Sequence, residues 1–182
     1  FRNVNALTLS NDLTVAAGNY NAEANLTITD QTSVAAGLTL TVSTTLQTGS
    51  LTGAGTVDTA ENAATIVLTS GGTPFTITTV NGLRGTTLGT VQYTGPAGTQ
   101  IRTGVQYGNL QLSGASVAYQ SDNGAQTIEV AGNMSFGNAA GLSATPNATN
   151  VTFVDNGAAN STLTTTAGGL VFSTLTLNKT GG

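Results

Sequence analysis

Apolar and polar residues alternate along this chain in short runs that close on Gly, Asn or Ser. Leu7-Thr8-Leu9-Ser10, Leu13-Thr14-Val15, Leu26-Thr27-Ile28, Leu38-Thr39-Leu40, Leu110-Gln111-Leu112-Ser113-Gly114 and Leu175-Thr176-Leu177-Asn178 are versions of one phrase. Alternation with period two is the mark of a strand that buries one face. Many short strands separated by turn residues predict a coil of stacked rungs, a β-solenoid. The inward positions of such a coil are the apolar ones: Leu7, Leu9, Leu26, Ile28, Leu110, Leu112, Leu175 and Leu177.

The apolar positions recur. Leu7, Leu26, Leu46 and Ile66 form one series, Val91, Leu110 and Ile128 a second, and Val151 with Leu170 a third. The steps are roughly 18–20 residues, the length of three short strands and three corners. That period predicts roughly nine rungs, and at ~4.8 Å per rung a rod about 45 Å long. The stretches from Ser70 to Gly85 and from Gly137 to Asn147 break the rhythm. Both are rich in Gly, Asn or Pro and are read as longer corners rather than linkers. The only stretch a helix would tolerate, Thr59 to Ala64, runs into Thr65-Ile66-Val67-Leu68 and is read as a turn and a strand. The expectation is one domain over residues 1–182 with the fold of a right-handed parallel β-helix. An antiparallel sandwich or jelly roll is the alternative, because short alternating strands fit it as well.

Composition sharpens this picture. About one residue in five is Thr, which suits a pleated surface, and 24 are Gly, which supply tight corners. Aromatics make up 5%, so the core is expected to be narrow and built from Leu, Val, Ile and Ala. Charged residues are 7%, far below the usual share of about 25%. Arg2, Arg84, Arg102 and Lys179 stand apart in sequence. No cationic stripe exists to neutralise phosphates, which argues against a nucleic-acid partner and against an electrostatic membrane anchor. No apolar run is long enough to cross a bilayer, so no transmembrane helix is expected.

A specific resemblance lies in the second half. Val91-Gln92-Tyr93-Thr94-Gly95 leads through Thr99-Gln100-Ile101 to Tyr107-Gly108-Asn109-Leu110-Gln111-Leu112-Ser113-Gly114. Val151-Thr152-Phe153 leads through Ser161-Thr162-Leu163 to Phe172-Ser173-Thr174-Leu175-Thr176-Leu177-Asn178-Lys179, and Val4 to Ser10 and Ala125 to Ile128 repeat parts of it. These strings resemble the β-strand repeats of very large bacterial surface and adhesin-like proteins. The resemblance implies a β-helix and a place on the cell exterior, and it carries no catalytic residues. Lys179-Thr180-Gly181-Gly182 stops inside the phrase, and neither end has a polar cap. The chain is therefore expected to be a segment of a larger repeat protein or a filament subunit, with open ends that pair with other copies.

Chemistry is sparse. With no His and no Cys, Ser-His-Asp and Cys-His catalysis, most zinc sites and disulfides are excluded. No catalytic, cofactor or metal residue is assigned and no cofactor is expected. Of the eight carboxylates, Asp58 and Glu61 are the one pair close in sequence, and turn or surface roles are the expectation for all. Asp122-Asn123 and Asp155-Asn156 are the first places to look for a calcium ion, the plain alternative being Asx turns. Thr27/Thr29, Thr39/Thr41, Thr76/Thr78 and Thr174/Thr176 each send two Thr to one side, as a flat ice-binding face would, or as exposed strands ordinarily do. Sequons at Asn25, Asn133, Asn147, Asn150, Asn160 and Asn178 are expected by chance in so Asn- and Thr-rich a chain. The function these features predict is a secreted structural protein, a cell-surface or filament scaffold without catalysis. The alternative is a glycan- or ice-binding solenoid that uses outward Thr and Asn rows.

Overall fold

The computed structural model describes all residues except 61, 85–86, 115–117, 123–125, 138–140, 143–148, 156–159, 166–171 and 179–182. Among the described residues there are twenty-one strands and no helix. In chain order they are β1 (Arg2–Asn3), β2 (Leu7–Leu9), β3 (Leu13–Val15), β4 (Tyr20–Ala22), β5 (Leu26–Val34), β6 (Thr39–Val42) and β7 (Thr45–Thr52). There follow β8 (Thr56–Asp58), β9 (Thr65–Leu68), β10 (Thr79–Asn81), β11 (Thr90–Tyr93), β12 (Gln100–Ile101), β13 (Gln106–Tyr107) and β14 (Asn109–Leu112). The last are β15 (Ala118–Ser121), β16 (Thr127–Val130), β17 (Met134–Phe136), β18 (Gly141–Leu142), β19 (Asn150–Val154), β20 (Leu163–Thr165) and β21 (Thr174–Asn178).

Every strand pairing among the described residues is parallel, which makes the molecule a β-solenoid of about seven turns and not a barrel or an antiparallel sandwich. One wall runs through the stack in the order β2-β5-β7-β9-β11-β14-β17-β20. Its register places Leu7 beside Leu26, Leu26 beside Leu46, Leu46 beside Ile66, Ile66 beside Val91, Val91 beside Leu110, Leu110 beside Met134 and Met134 beside Leu163. The first two series read from the sequence are thus one column as far as Leu110. Ile128 leaves it: it lies on β16 in another wall and pairs with Val151, whose next partner is Leu175. Leu170 lies outside the described residues. The count of nine rungs is corrected to about seven because the step is not constant. It is nearly even from Leu7 through Leu26 and Leu46 to Ile66, lengthens between Ile66 and Val91, and is longest between Met134 and Leu163. The long corner read from Ser70 to Gly85 also holds strand β10.

Alternation decides the packing. Leu26, Ile28, Leu46, Ile66, Val91, Leu110 and Leu112 are buried, and the residues between them face out. Leu7 and Leu9 are half-buried against the same core. Leu175 and Leu177 stand in register with the buried Val151 and Phe153 but are 44% and 74% exposed, because among the described residues no rung lies over β21. The expectation of a wholly aliphatic core holds only in the first half. From Phe75 onward aromatics fill it: Phe75, Tyr93, Tyr107, Tyr119 and Phe136 are buried. Tyr93 and Tyr119 meet edge to face with centroids 6.5 Å apart. Thr is not always outward either. Thr32 and Thr48 are fully buried, and Thr32 Oγ1 donates to Thr48 Oγ1 at 3.0 Å. Thr48 Oγ1 also lies 3.0 Å from the Ser50 carbonyl, so burial leaves neither hydroxyl orphaned.

Corner side chains tie one turn to the next. Asp12 Oδ1 accepts from the Gln31 amide, Asn19 Oδ1 from the Thr39 amide and Asn109 Oδ1 from the Asn133 amide, each at 2.9 Å. Asn133 Oδ1 accepts from both the amide and the hydroxyl of Thr162. A carboxylate or amide at a corner therefore satisfies a backbone N–H that has left its ladder.

Candidate functional site

The second wall is interrupted. It runs β1-β4-β6-β8-β10 and stops. The equivalent place one turn later is held by β13, which pairs with β16 and starts a separate wall, β13-β16-β19-β21. The main wall passes the break intact, through β9, β11 and β14. The segment between β10 and β11 carries Gly82 and an isolated antiparallel bridge between Arg84 and Leu88, and beyond it β10 and β13 do not pair. The result is an open slot of about 460 Å³, bounded by residues Thr78 to Arg84 on one side and by Arg102 and Gly104 to Gln106 on the other.

Backbone hydrogen bonding shows what faces this slot. The Thr79 amide donates to Gly55 and the Asn81 carbonyl accepts from Thr59, so both residues bond toward β8. In a parallel ladder the residue between them, Val80, directs its N–H and C=O the other way, into the slot. Across the gap the Tyr107 carbonyl accepts from Ala131, on the β16 side, which turns the polar groups of Gln106 toward β10. Two strand edges thus face each other without meeting.

Two of the four cationic residues of the chain border this opening. Arg102 is held from both sides of the wall. Its amide donates to Tyr93 Oη at 3.2 Å, and its carbonyl accepts from Tyr107 Oη at 2.8 Å. The two phenols are themselves hydrogen-bonded at 2.9 Å. Outside, the guanidinium lies over the Phe75 ring, 5.4 Å from its centroid, and donates to the carbonyls of Ile77 and Thr78. Those acceptors are neutral, so they fix the group without cancelling its charge. Arg84 crosses the rim and donates to Gln106 Oε1 and to the Asp155 carbonyl. Gln106 Nε2 in turn donates to Glu129 Oε2 at 2.6 Å. Burial pushes the phenols of Tyr93 and Tyr107 well above their ordinary value of 10.0, so both stay protonated as donors.

The acids near the slot do not line it. Asp58 Oδ1 accepts from the Ala60 amide at 2.7 Å in an Asx turn that holds Ala60 at a φ of 50°. Asp122 Oδ1 accepts from the amide and hydroxyl of Thr103 at 2.9 and 2.7 Å. Glu61, Asn123 and Asn156 lie outside the described residues, so the carboxylate pair and both calcium candidates are only partly in view. Among the described residues, no group of three or more acidic residues is placed to hold a metal ion.

The four Thr pairs do not share one plane. Thr27 is on the main wall, Thr39 and Thr41 are on the second, and Thr174 and Thr176 are on the wall that begins at β13. In register, Thr41 is followed by Asp58 and Asn81, and Thr27 by Gln47 and Val67. Of the sequons, Asn133 has its side-chain oxygen committed to Thr162. Asn147 lies outside the described residues.

Arg84 and Arg102 stand apart in the sequence. Their separation is close to one turn of the coil, so the period itself was the signal that sets them on adjacent turns. No helix of the described residues is long and apolar enough to cross a membrane. No protein-family model, curated protein or solved structure matches this chain.

Proposed function

We propose that this chain is a structural rod segment of an extracellular assembly on a bacterial cell, an adhesin-like or filament-forming scaffold without catalytic chemistry. The observation that carries the reading is the unbroken column from Leu7 to Leu163 on one hydrogen-bonded wall. Ladders between rungs and stacked side chains inside resist bending and stretching together. Corner bonds from Asp12 and Asn19 tie the first turn to the second, and those from Asn109 and Asn133 tie together the turns that carry β14, β17 and β20. A chain with 7% charged residues gains little of this from ion pairs.

Among the described residues, Leu163, Leu175 and Leu177 are the last members of the inner columns and are exposed, as are Phe1 and Val4 on the first turn. On this reading another rung of the same kind covers such surfaces, supplied by a second copy, with main-chain pairing along the free edge of β21. Negative-stain microscopy and sedimentation velocity over a hundredfold concentration range test it. Short rods that lengthen with concentration are expected, and Leu177→Lys is expected to shorten them. Monodisperse particles at every concentration, unchanged by that substitution, overturn the self-assembly.

A further inference from the structure

We propose that the slot between β10 and β13 binds an acidic sugar, a pyranose that carries a carboxylate. The interruption leaves a recess of about 460 Å³ in a wall that is otherwise closed rung upon rung, and that volume suits a small ligand. Its polar groups come from several directions. Arg84 and Arg102 supply charge, and Thr79 and Asn81 supply a hydroxyl and an amide group. The backbone groups of Val80 and Gln106 add a donor and an acceptor from each edge.

Three features select the ligand class. The guanidinium of Arg102 is fixed over Phe75 by bonds to the Ile77 and Thr78 carbonyls, and its backbone is pinned by Tyr93 and Tyr107. A donor fork held in place this way loses little freedom on meeting a carboxylate. The nearby acids Asp58, Asp122 and Glu129 do not line the slot, so the charged side chains that border it are the two arginines. Among the described residues no aromatic ring lines the slot, so a neutral sugar has no stacking surface and charge must carry the affinity. An extended peptide fits less well, because β10 spans three residues and β13 two, and each edge offers only one residue's bonds to an incoming strand.

Isothermal titration of the intact chain with galacturonate, galactose and acetate at low salt tests the assignment. Galacturonate is expected to bind with a dissociation constant on the order of 1 mM, the range for so few ligand atoms. Galactose and acetate are each expected to bind about tenfold more weakly. Arg84 is exposed, and Arg84→Gln is expected to weaken galacturonate about tenfold with an unchanged melting temperature. Arg102→Gln is expected to weaken it further, and circular dichroism of that variant separates lost binding from a loosened wall. Absence of galacturonate binding at about 20 mM, well above the expected constant, overturns the proposal. Equal binding of acetate reduces the slot to a bare anion site and also overturns it, as does equal binding of galactose or indifference to Arg84→Gln. The result is independent of the scaffold reading, since polymer length is read by microscopy and slot occupancy by titration.

Discussion

Gly108 offers the sharpest test of the stacking geometry. It begins the rung that carries β14, directly over Gly89, whose carbonyl accepts from the Asn109 amide at 2.8 Å. A Cβ built at Gly108 would lie 2.1 Å from the Leu83 carbonyl oxygen, 2.5 Å from that of Gly89 and 3.1 Å from the Gly89 nitrogen. All three are backbone atoms, so no side chain can rotate out of the way. To admit the methyl the two turns must separate by about 1 Å, an overpacking strain of about 2 kcal/mol. The separation also strains the Asn109–Gly89 bond, which crosses between the turns and is worth about 1 kcal/mol. Alanine stiffens the unfolded chain and returns about 0.7 kcal/mol. Gly108→Ala should therefore destabilise by about 2 kcal/mol, a fall in melting temperature of about 4–8 °C for a chain of this length. Gly137 is the internal control. Among the described residues its Cβ would find nothing nearer than Ser113 Cβ at 3.5 Å, and its φ is not in the left-handed region. Gly137→Ala should change stability by less than about 1 kcal/mol, in the stabilising direction. Urea melts followed by far-ultraviolet circular dichroism compare the two variants with the parent. Equal effects would show that these turns are not in contact there. So would a Gly108→Ala change under about 0.5 kcal/mol, the size of an ordinary surface substitution.

The tyrosine pair gives a pH prediction. Burial raises the folded-state pKa of Tyr93 and Tyr107 above the unfolded value of about 10, so the folded state holds these protons more tightly. Their contribution is complete below pH 10 and is lost as pH rises beyond it, so the urea midpoint should stay flat from pH 7 to 9 and fall above 10. That fall should be shallower in the Tyr93→Phe/Tyr107→Phe double variant. At pH 7 the single Tyr93→Phe change should cost about 1–3 kcal/mol, because the Arg102 amide loses its acceptor, and chemical denaturation checks it. Leu46→Ala, in the middle of the long column, should cost about 2–5 kcal/mol by calorimetry, since its neighbours Leu26 and Ile66 cannot close the cavity. Asn133→Ala should cost about 0.5–1 kcal/mol in the same melts, since it removes exposed bonds to the Thr162 amide and hydroxyl that water can replace. Glu23→Gln, which removes the exposed ion pair with Arg2 at 3.5 Å, should move the midpoint by less than about 0.5 kcal/mol.

Much of the architecture is legible in the residue pattern. Period-two alternation sets which side of each strand is apolar, and a nearly even step sets Leu7, Leu26, Leu46 and Ile66 over one another. Both are local properties, repeated often enough that one solution satisfies every rung. Composition excludes histidine and thiol chemistry outright, because those side chains are missing.

Tertiary structure decided what depends on how unequal turns are fitted together. Ile128 has the look of the Leu110 column. The turn from Leu110 to Met134 carries β15 and β16 on the way, however, and Ile128 falls on β16, in another wall. Few aromatics suggest an aliphatic core. Yet each inward position is shared by only a handful of neighbours in a narrow coil, so Tyr93, Tyr107 and Tyr119 suffice to fill the later turns. The slot was invisible for the same reason. The period sets Arg84 and Arg102 on adjacent turns, but the slot beside them is a break in hydrogen-bond pairing between distant segments, and that leaves no mark on either segment alone.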